Sequence, residues 1–452
     1  MDSDTRTRSS GASRAAVGAF ALALSLRRAW EWRQVRLSRT GAQRTLDALA
    51  AGRAPGVREH RVVCVVPLYV EEELAAETVA FWVSVAEQKL CDQVLLVTTV
   101  KEEPRQGGRS THEVCERELE RLGADPERIA LLHCQEVTRF RASQLNLAVE
   151  HARARFLPEV ENSSRLWIGV YNADSRPQHE TFAELDERVA DDGTTRLFQQ
   201  LVDYVVPERG RAGSVAVGNA VLQTWWTWSH YVARNRRGRP GGTVWSRTAP
   251  YSTFGHGEFA RLDFLDHIGL FPDFAYADGL LLGWIARLAG EPIGLLASRD
   301  VAEVPRRARD LLTQQTAWLR GLLNFDATAR WCREQGVLRL SPLEVRFLRA
   351  QHLAIPVGWG LSTVALAASG AAVARRARRG EAAAHDLAVV AALVSYPVTP
   401  ALVSTAASLR GVPLSRRVRG VLASWPLEGL AFWPALLSHL GRNQRAPAKT
   451  PR

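Results

Sequence analysis

The central part of the chain alternates short apolar runs with longer segments of helical periodicity. Four runs rich in β-branched residues are typical of buried strands, and the segments between them repeat apolar positions every three or four residues, as helices do. The predicted strands are residues 62–66, 94–99, 129–134 and 166–171, and the predicted helices are 71–87, 109–122 and 143–154. This alternation predicts an α/β fold with a mostly parallel sheet and helices on both faces.

The chain beyond residue 352 has a different pattern. Segments 353–374 and 387–409 contain no charged residue and are about 22 and about 23 residues long, which is enough to cross a bilayer as helices. Segment 421–440 is a weaker third candidate, because Glu428 and two prolines interrupt it. We therefore predict two or three C-terminal transmembrane helices; a buried helical bundle in a soluble protein is the alternative.

The first 60 residues are rich in Arg and Ala. Their apolar stretch, residues 15–26, is too short to span a bilayer and is followed by Trp30 and Trp32, so we predict a helix lying on the membrane surface rather than a signal peptide. The predicted organisation is this N-terminal segment at 1–60, a catalytic domain at 61–330, an interfacial linker helix at 331–352, a membrane region at 353–440 and a basic disordered tail at 441–452.

The composition indicates which partners the protein has and in which compartment its catalytic domain lies. The formal net charge is +11, but only three of the basic residues are Lys, and no Arg run carries the interleaved aromatics of a nucleic-acid module. We expect no nucleic-acid partner. The five cysteines are widely spaced and form no CxxC pair, which disfavours a disulfide framework or a zinc site and favours a reducing, cytoplasmic side for the catalytic domain.

Two acidic residues are candidates for catalysis or metal binding in the predicted α/β fold. Asp174, in YNADS, follows the fourth predicted strand, and ligands bind at the carboxyl ends of parallel strands. Its carboxylate is a suitable ligand for Mg²⁺ or Mn²⁺; an Asx turn is the alternative. Asp278 begins the helical run DGLLLGW, where it is a candidate general base or a simple helix cap.

Further candidates surround these acids. Gln314 and Trp318 share a helix face and could bind the hydroxyls and ring face of a sugar, although Trp318 is also typical of a membrane interface. Arg141, in RASQLN, could contact a diphosphate or be a solvated cation, and His256 lies between two glycines of FGHGEFAR. The aromatic cluster Trp225, Trp226, Trp228 and Tyr231 suits an interfacial helix or a core helix equally.

Taken together, these strings resemble family 2 inverting glycosyltransferases with a GT-A fold, in the membrane-bound branch that includes cellulose synthase and hyaluronan synthase. The matching positions are Pro67, Tyr69 and Glu71 for P-x-Y-x-E, Arg141, Leu145 and Asn146 for K-x-x-x-L-N, Asn172 to Asp174 for D-x-D, Gly257, Arg261 and Leu265 for G-x-x-x-R-x-x-x-L, Ala277 and Asp278 for Glu-Asp, and Gln314 to Trp318 for Q-x-x-R-W.

The resemblance implies a role for each matched position. Asp278 would be the catalytic base and Asp174 the ligand of Mg²⁺ or Mn²⁺. The donor, a nucleotide sugar and most simply a UDP-sugar, would be bound by Pro67, Tyr69, Glu71, Arg141, Asn146 and Asn172. A lipid-linked or saccharide acceptor would contact Gln314, Trp318 and His256, in a multi-pass protein of the cell membrane whose catalytic domain faces the cytoplasm.

Three positions depart from the family pattern. Asn172 replaces an acid of D-x-D, Ala277 replaces the Glu of Glu-Asp, and Ala317 replaces the Arg of Q-x-x-R-W. The small number of predicted membrane helices favours a single-transfer enzyme acting on a lipid or lipid-linked acceptor, whereas the three departures favour an inactive protein. A catalytically inactive GT-A membrane scaffold and a processive polysaccharide synthase are the alternatives.

Overall fold

A computed structural model describes residues 3–50, 58–102, 108–136, 141–160, 162–206, 213–235, 242–249, 251–275, 277–381, 384–403, 409 and 411–440. The strands are β1 Arg61–Pro67, β2 Gln93–Thr99, β3 Ile129–Cys134, β4 Leu166–Val170, β5 Leu197–Val205, β6 Glu258–Arg261 and β7 Gly294–Glu303.

Helices precede, connect and follow these strands. They are α1 Ser3–Ala50, α2 Ala75–Glu87, α3 Thr111–Leu122, α4 Arg141–Val160, α5 Glu180–Asp191, α6 Ser214–Trp226, α7 Ala233–Asn235, α8 Val244–Arg247, α9 Leu262–Ile268, α10 Asp278–Leu288, α11 Ala308–Leu322, α12 Phe325–Glu334, α13 Pro342–Arg378, α14 Ala384–Val403, α15 Leu414–Leu430 and α16 Phe432–Leu440. A 3₁₀ turn spans Ser163–Arg165, and a π-helical turn, Thr227–Val232, joins α6 to α7.

The seven strands form one sheet in the order β3-β2-β1-β4-β6-β5-β7. Strand β6 is antiparallel to both of its neighbours, β4 and β5, and the other pairings are parallel. The expectation of a mostly parallel sheet is therefore confirmed. Because β4, β5 and β7 run in the same direction, their carboxyl ends lie at one edge of the sheet, where α/β folds bind ligands.

Alternate residues of β1 enter two separate cores. Val63 and Val65 pack with residues of α4, α9, α10 and α12 on one face, whereas Val62, Cys64 and Val66 pack with residues of α2, α3 and α5 on the other. This is the period of two expected for a strand covered on both sides. Helices on both faces of the sheet are thus confirmed, and β1, β2 and β4 are buried along almost their whole length, whereas the edge strand β3 is only partly buried.

A helical layer of α1, α6, α11 and α13 to α16 packs beside the sheet region. Helix α6 meets α15 at glycines: a Cβ built on Gly218 would lie 2.0 Å from the backbone oxygen of Gly420, so only glycine permits this approach. Two members of the aromatic cluster, Trp225 and Trp228, are buried inside this layer. The core-helix interpretation of that cluster is the one that the structure supports.

One helix among the described residues is long and apolar enough to cross a membrane by length and composition, namely α13. The described residues give no such support to the second and third spans. Helix α14 covers the start of segment 387–409, residues 404–408 lie outside the described part, and residues 421–440 are divided between α15 and α16. The expected multi-pass arrangement is therefore not supported.

Other boundaries also differ from those that we predict. Within the predicted N-terminal segment, residues 3–50 form a single helix, α1, which packs on the π-helical turn and on α14. The predicted linker helix at 331–352 is divided between the end of α12 and the start of α13, because the Ser341 side chain caps a new helix at Pro342. The predicted tail at 441–452 lies outside the described residues.

Candidate active site

A cavity of about 300 Å³ opens where β4, β5 and β7 end. The loop after β4 contributes Asn172 and Asp174, and the last residues of β7 contribute Glu303. The start of α10 and helices α11 and α13 form the remaining walls. The sequence motifs that are more than 100 residues apart along the chain therefore meet in one space.

Arg141 joins these segments. Its Nη1 donates to Oδ1 of Asn172 over 2.8 Å, and its Nη2 lies 3.1 Å from Oδ2 of Asp278 and also donates to the backbone oxygen of Gly255. The guanidinium is positioned because Arg141 is the first residue of α4, which packs against β1, β2 and β4. The solvated-cation alternative for Arg141 is thereby excluded by its contacts.

Asp278 is the first residue of α10 and is 7% exposed at the cavity wall. The cap residue is Ala277, in the left-handed region at φ 65°, and no side chain caps this helix. Asp278 therefore does not have the capping role that was its simple alternative. A non-glycine residue at positive φ is strained, and such strain clusters at functional sites.

Glycine at position 279 permits α10 to begin here. A Cβ on Gly279 would lie 1.9 Å from the Cα of Gly255, so the helix start is in backbone contact with the loop before β6. The Thr253 hydroxyl also donates to the backbone oxygen of Gly279. These contacts fix Asp278 relative to Arg141, because both ends of the ion pair are tied to the same loop.

Asp174 is 6% exposed and lines the same cavity. Its Oδ2 accepts a hydrogen bond of 3.0 Å from the backbone N–H of Glu303, at the end of β7. In the described residues, no group of three His, Cys, Asp or Glu side chains is arranged to hold a metal ion. Asn172 directs its oxygen to Arg141, so the Asp174 carboxylate is the remaining oxygen ligand of this motif, and one such carboxylate fits a hard cation whose other ligands are phosphate and water oxygens.

His256 also lines the cavity, and a buried carboxylate contacts its ring. Its Nδ1 lies 2.7 Å from Oδ2 of Asp300, a carboxylate that is fully buried and also accepts from the Ser175 hydroxyl over 2.7 Å. A carboxylate can only accept, so Nδ1 carries the proton in this contact and the ring is oriented by it. Gly255 and Gly257, at φ 85° and 62°, provide the left-handed turns that place this histidine.

Helix α11 presents Gln314 and Trp318 on one face, as their spacing of four residues predicts. Gln314 and Trp318 both line the cavity, and Trp318 is 37% exposed. Gln315, which the motif does not single out, lines it as well and is almost completely buried. A polar side chain of this kind within an amphipathic helix was the available signal for Gln315.

Two further features of the site were missed in the sequence. Glu258, at the start of β6, is fully buried; burial and the charge of Asp278 raise its pKa to about 7, against opposing effects of Arg141, Thr253 and His256. The aromatic wall was also missed: Trp226, stacked on His230 at 3.7 Å between ring centroids, Tyr231 and Trp359 all line the cavity. The aromatic composition of segment 225–231 was the only visible signal for this wall.

Four predicted donor residues lie outside the cavity. Pro67 ends β1, Tyr69 is 41% exposed, and the backbone N–H of Glu71 donates to the Thr111 hydroxyl over 2.9 Å. Asn146 makes two hydrogen bonds to the backbone of Phe271, at 3.1 and 2.9 Å, so its amide connects α4 to the loop after α9. The structure therefore brings together Arg141, Asn172, Asp174, His256, Asp278, Gln314 and Trp318, but not these four.

No protein-family model matches the chain, and no curated protein matches it. Among solved structures, the chain is similar to the mannosyltransferase PcManGT from Pyrobaculum calidifontis in complex with GDP-Man and Mn²⁺, with 15% identity, a TM-score of 0.47, and 94% of this chain and 99% of that chain covered. It is also similar to S. aureus TarS, with 13% identity and a TM-score of 0.36; 84% of this chain is covered but it spans about half of TarS, 55%.

Proposed function

We propose that the chain is an inverting glycosyltransferase that moves a sugar from a nucleoside diphosphate sugar to the hydroxyl of an acceptor at the membrane. One observation carries this proposal: Asp278, Asn172 and the Gly255 loop are joined by one guanidinium, that of Arg141, inside the cavity that Asp174 also lines. A base, a cation for the diphosphate and a carboxylate for a metal are the three groups that this transfer needs.

Asp278 is the general base of the proposed reaction. Its carboxylate takes the proton of the acceptor hydroxyl while that oxygen forms a bond to the anomeric carbon. The bond between the anomeric carbon and the diphosphate oxygen breaks on the opposite face, and the nucleoside diphosphate leaves with the bonding electrons. A single displacement of this kind inverts the anomeric configuration, and one base suffices because the leaving group is already good.

Arg141 and Asn172 are the proposed donor contacts in the cavity. The positive guanidinium neutralises charge that gathers on the departing diphosphate, an effect that is strong in a site from which water is excluded. We assign Pro67, Tyr69 and Glu71 to the base and ribose of a UDP-sugar, outside the cavity. Asn146 supports the site indirectly, through its hydrogen bonds to Phe271.

Asp174 would hold Mg²⁺ or Mn²⁺ in this proposal. A divalent cation supplies positive charge that stabilises the leaving diphosphate. The Asp174 carboxylate is positioned for this task by the backbone N–H of Glu303, which fixes one of its oxygens. The acceptor is assigned to Gln314, Trp318 and His256, which combine an aromatic face with amide and imidazole groups.

The test is donor turnover by purified protein in detergent, measured as release of nucleoside diphosphate from UDP-, GDP- and dTDP-sugars. Asp278→Asn should retain donor binding, seen as a thermal shift, but lose about 10²- to 10⁴-fold in turnover, because the amide cannot accept the proton. Asp326→Asn, at an exposed acid on α12, is the matched control. Wild-type turnover in Asp278→Asn would remove this residue from the mechanism.

A membrane scaffold without activity is the second candidate. It is favoured by Arg141, which engages both Asn172 and Asp278, and by Ala277 and Ala317 at positions where the family has Glu and Arg. Donor hydrolysis that is lost in Asp174→Ala would exclude the scaffold. A polymeric product would instead indicate a processive polysaccharide synthase.

A further inference from the structure

One wall of the cavity is a stripe along α13. His352, Ile355 and Trp359 all line the cavity and are spaced three and four residues apart, which places them on one face of the helix. The Trp359 ring packs edge-on against Trp226, with 4.7 Å between the centroids. The stripe therefore gives the cavity an apolar and aromatic side, built on rigid helices.

The facing helices continue this apolar side. Leu319 and Leu322 of α11 and Leu280 of α10 line the cavity that also contains Asp278 and Arg141. One space thus combines an ion pair with a set of hydrocarbon and aromatic side chains. A ligand that fills it must be polar where it meets the ion pair and apolar where it meets α11 and α13.

The other face of α13 is apolar and exposed. Val357, Leu361 and Val364 are 38%, 54% and 47% exposed, and they also repeat every three or four residues. An exposed apolar stripe on a helix of membrane-spanning length is typical of contact with lipid. The helix that lines the cavity is therefore the same helix that meets the bilayer in this arrangement.

We propose that the acceptor is an amphiphilic lipid whose hydroxyl lies at Asp278 and whose hydrocarbon chain lies along α11 and α13. This inference rests on the proposed function, and it narrows the acceptor to one chemical class. The reaction is the displacement described above, with the lipid oxygen as the nucleophile and the nucleoside diphosphate as the leaving group. A free saccharide would place hydroxyl groups against the Ile355, Leu319 and Leu322 side chains that line the cavity, and it would bring no apolar surface to them.

The first experiment asks where the transferred sugar goes. Purified protein is given labelled donor together with either a lipid extract of the membranes in which the protein is native or the water-soluble saccharides of the same cells. Label should enter the organic phase in an Asp278-dependent manner. Label found only in soluble saccharide or in polymer would overturn the lipid assignment while the transferase activity stands.

Donor hydrolysis without acceptor separates the two proposals. If no donor is hydrolysed or transferred in any reaction, the proposed function fails and the lipid assignment fails with it. If donor is hydrolysed but the lipid extract accepts no sugar and does not increase nucleoside diphosphate release, the lipid assignment alone is overturned.

The second experiment uses a matched pair of variants on α13. Ile355→Asn places an amide in the apolar side of the cavity and should raise the KM for the lipid fraction at least ten-fold. Leu361→Asn makes the same chemical change on the exposed face of the helix and should leave that KM unchanged. Thermal melting checks that both variants are folded, and a folded Ile355→Asn protein with the wild-type KM would contradict the assignment.

Discussion

The sheet region and the helical layer hide their apolar side chains differently. In the sheet region, β1, β2 and β4 are buried along almost their whole length by helices on both faces. In the helical layer, large apolar side chains remain exposed on several helices, for example Leu402 on α14 at 57%, Leu422 on α15 at 42% and Leu437 on α16 at 69%. The sheet region thus covers its strands with helices, whereas the helical layer leaves large apolar side chains on its outer surface.

The two regions also differ in where their charged side chains lie. In the sheet region, the partly buried Arg141 and the buried Asp278 form an ion pair at the cavity. In the helical layer, the fully buried Glu31 of α1 lies 3.0 Å from Nε of Arg27 and 3.3 Å from Nε2 of His230, and burial lowers the pKa of that histidine. This cluster attaches α1 to the π-helical turn, whose residues form part of the cavity wall.

The largest expected effect is in that cluster. Glu31→Ala should lower the free energy of unfolding by about 3–5 kcal/mol, because it leaves the buried Arg28 guanidinium without its carboxylate. The measurement is chemical unfolding in detergent. Asp47→Asn, at an exposed position on the same helix, is the control and should change the stability by less than about 0.5 kcal/mol. Equal stabilities for the two variants would show that the cluster does not hold α1.

The second-largest expected effect is a pH dependence of stability that Glu258 causes in the sheet region. The pKa of Glu258 is raised from 4.5 to about 7, so its protonated form is favoured in the folded protein. Its contribution to stability is complete below about pH 4.5 and is lost as the pH rises through about 7, a change of about 3 kcal/mol. The free energy of unfolding is measured at pH 5 and at pH 8. The wild-type protein should be less stable at pH 8, and Glu258→Gln should lack the part of that loss that Glu258 causes.

The control for this pH experiment is Glu116→Gln, at an exposed position on α3. It should keep the wild-type pH dependence. An unchanged pH dependence in Glu258→Gln would mean that the carboxyl group is ionised at its ordinary pKa in the folded protein.

A third comparison uses glycines in helices of the two regions. Gly279→Ala should destabilise the protein by about 1–3 kcal/mol, because the added Cβ would lie 1.9 Å from the Cα of Gly255. Gly358→Ala on α13 has no atom within 4 Å of the added Cβ and should be neutral or stabilising by up to about 1 kcal/mol. Thermal unfolding of both variants decides whether contact or helix propensity dominates at each site.

The smallest effect on folding is expected at the outer surface of the helical layer. Leu437→Asn combined with Leu440→Asn, both on exposed α16 positions, should change the unfolding free energy in detergent by less than about 0.5 kcal/mol per site. The same pair should reduce cosedimentation with liposomes. Leu147→Asn, exposed on α4 of the sheet region, should not. Unchanged cosedimentation of the α16 variant would exclude this surface as the contact with lipid.

Local pattern was sufficient for much of the sheet region. Strands β1 to β4 follow from apolar and β-branched runs, and in β1 and β4 these runs reflect burial on both faces of the sheet. Strand β6 has four residues and could not be predicted, since a run that short has no measurable period. The 48-residue α1 was underestimated because much of its length is polar, and its packing depends on α14 and the π-helical turn.

The candidate site, like the fold, could be predicted only in part from the sequence. The sequence by itself determined which side chains are available for chemistry, because Asp174, Asp278, Arg141, His256, Gln314 and Trp318 belong to short motifs whose residue types are visible locally. Only the tertiary structure decided which of them meet. It placed Asn146 against Phe271, buried Glu258 near Asp278, and made α13 a wall of the cavity. Contacts between residues so distant along the chain depend on how the strands and helices pack, and no local pattern encodes them.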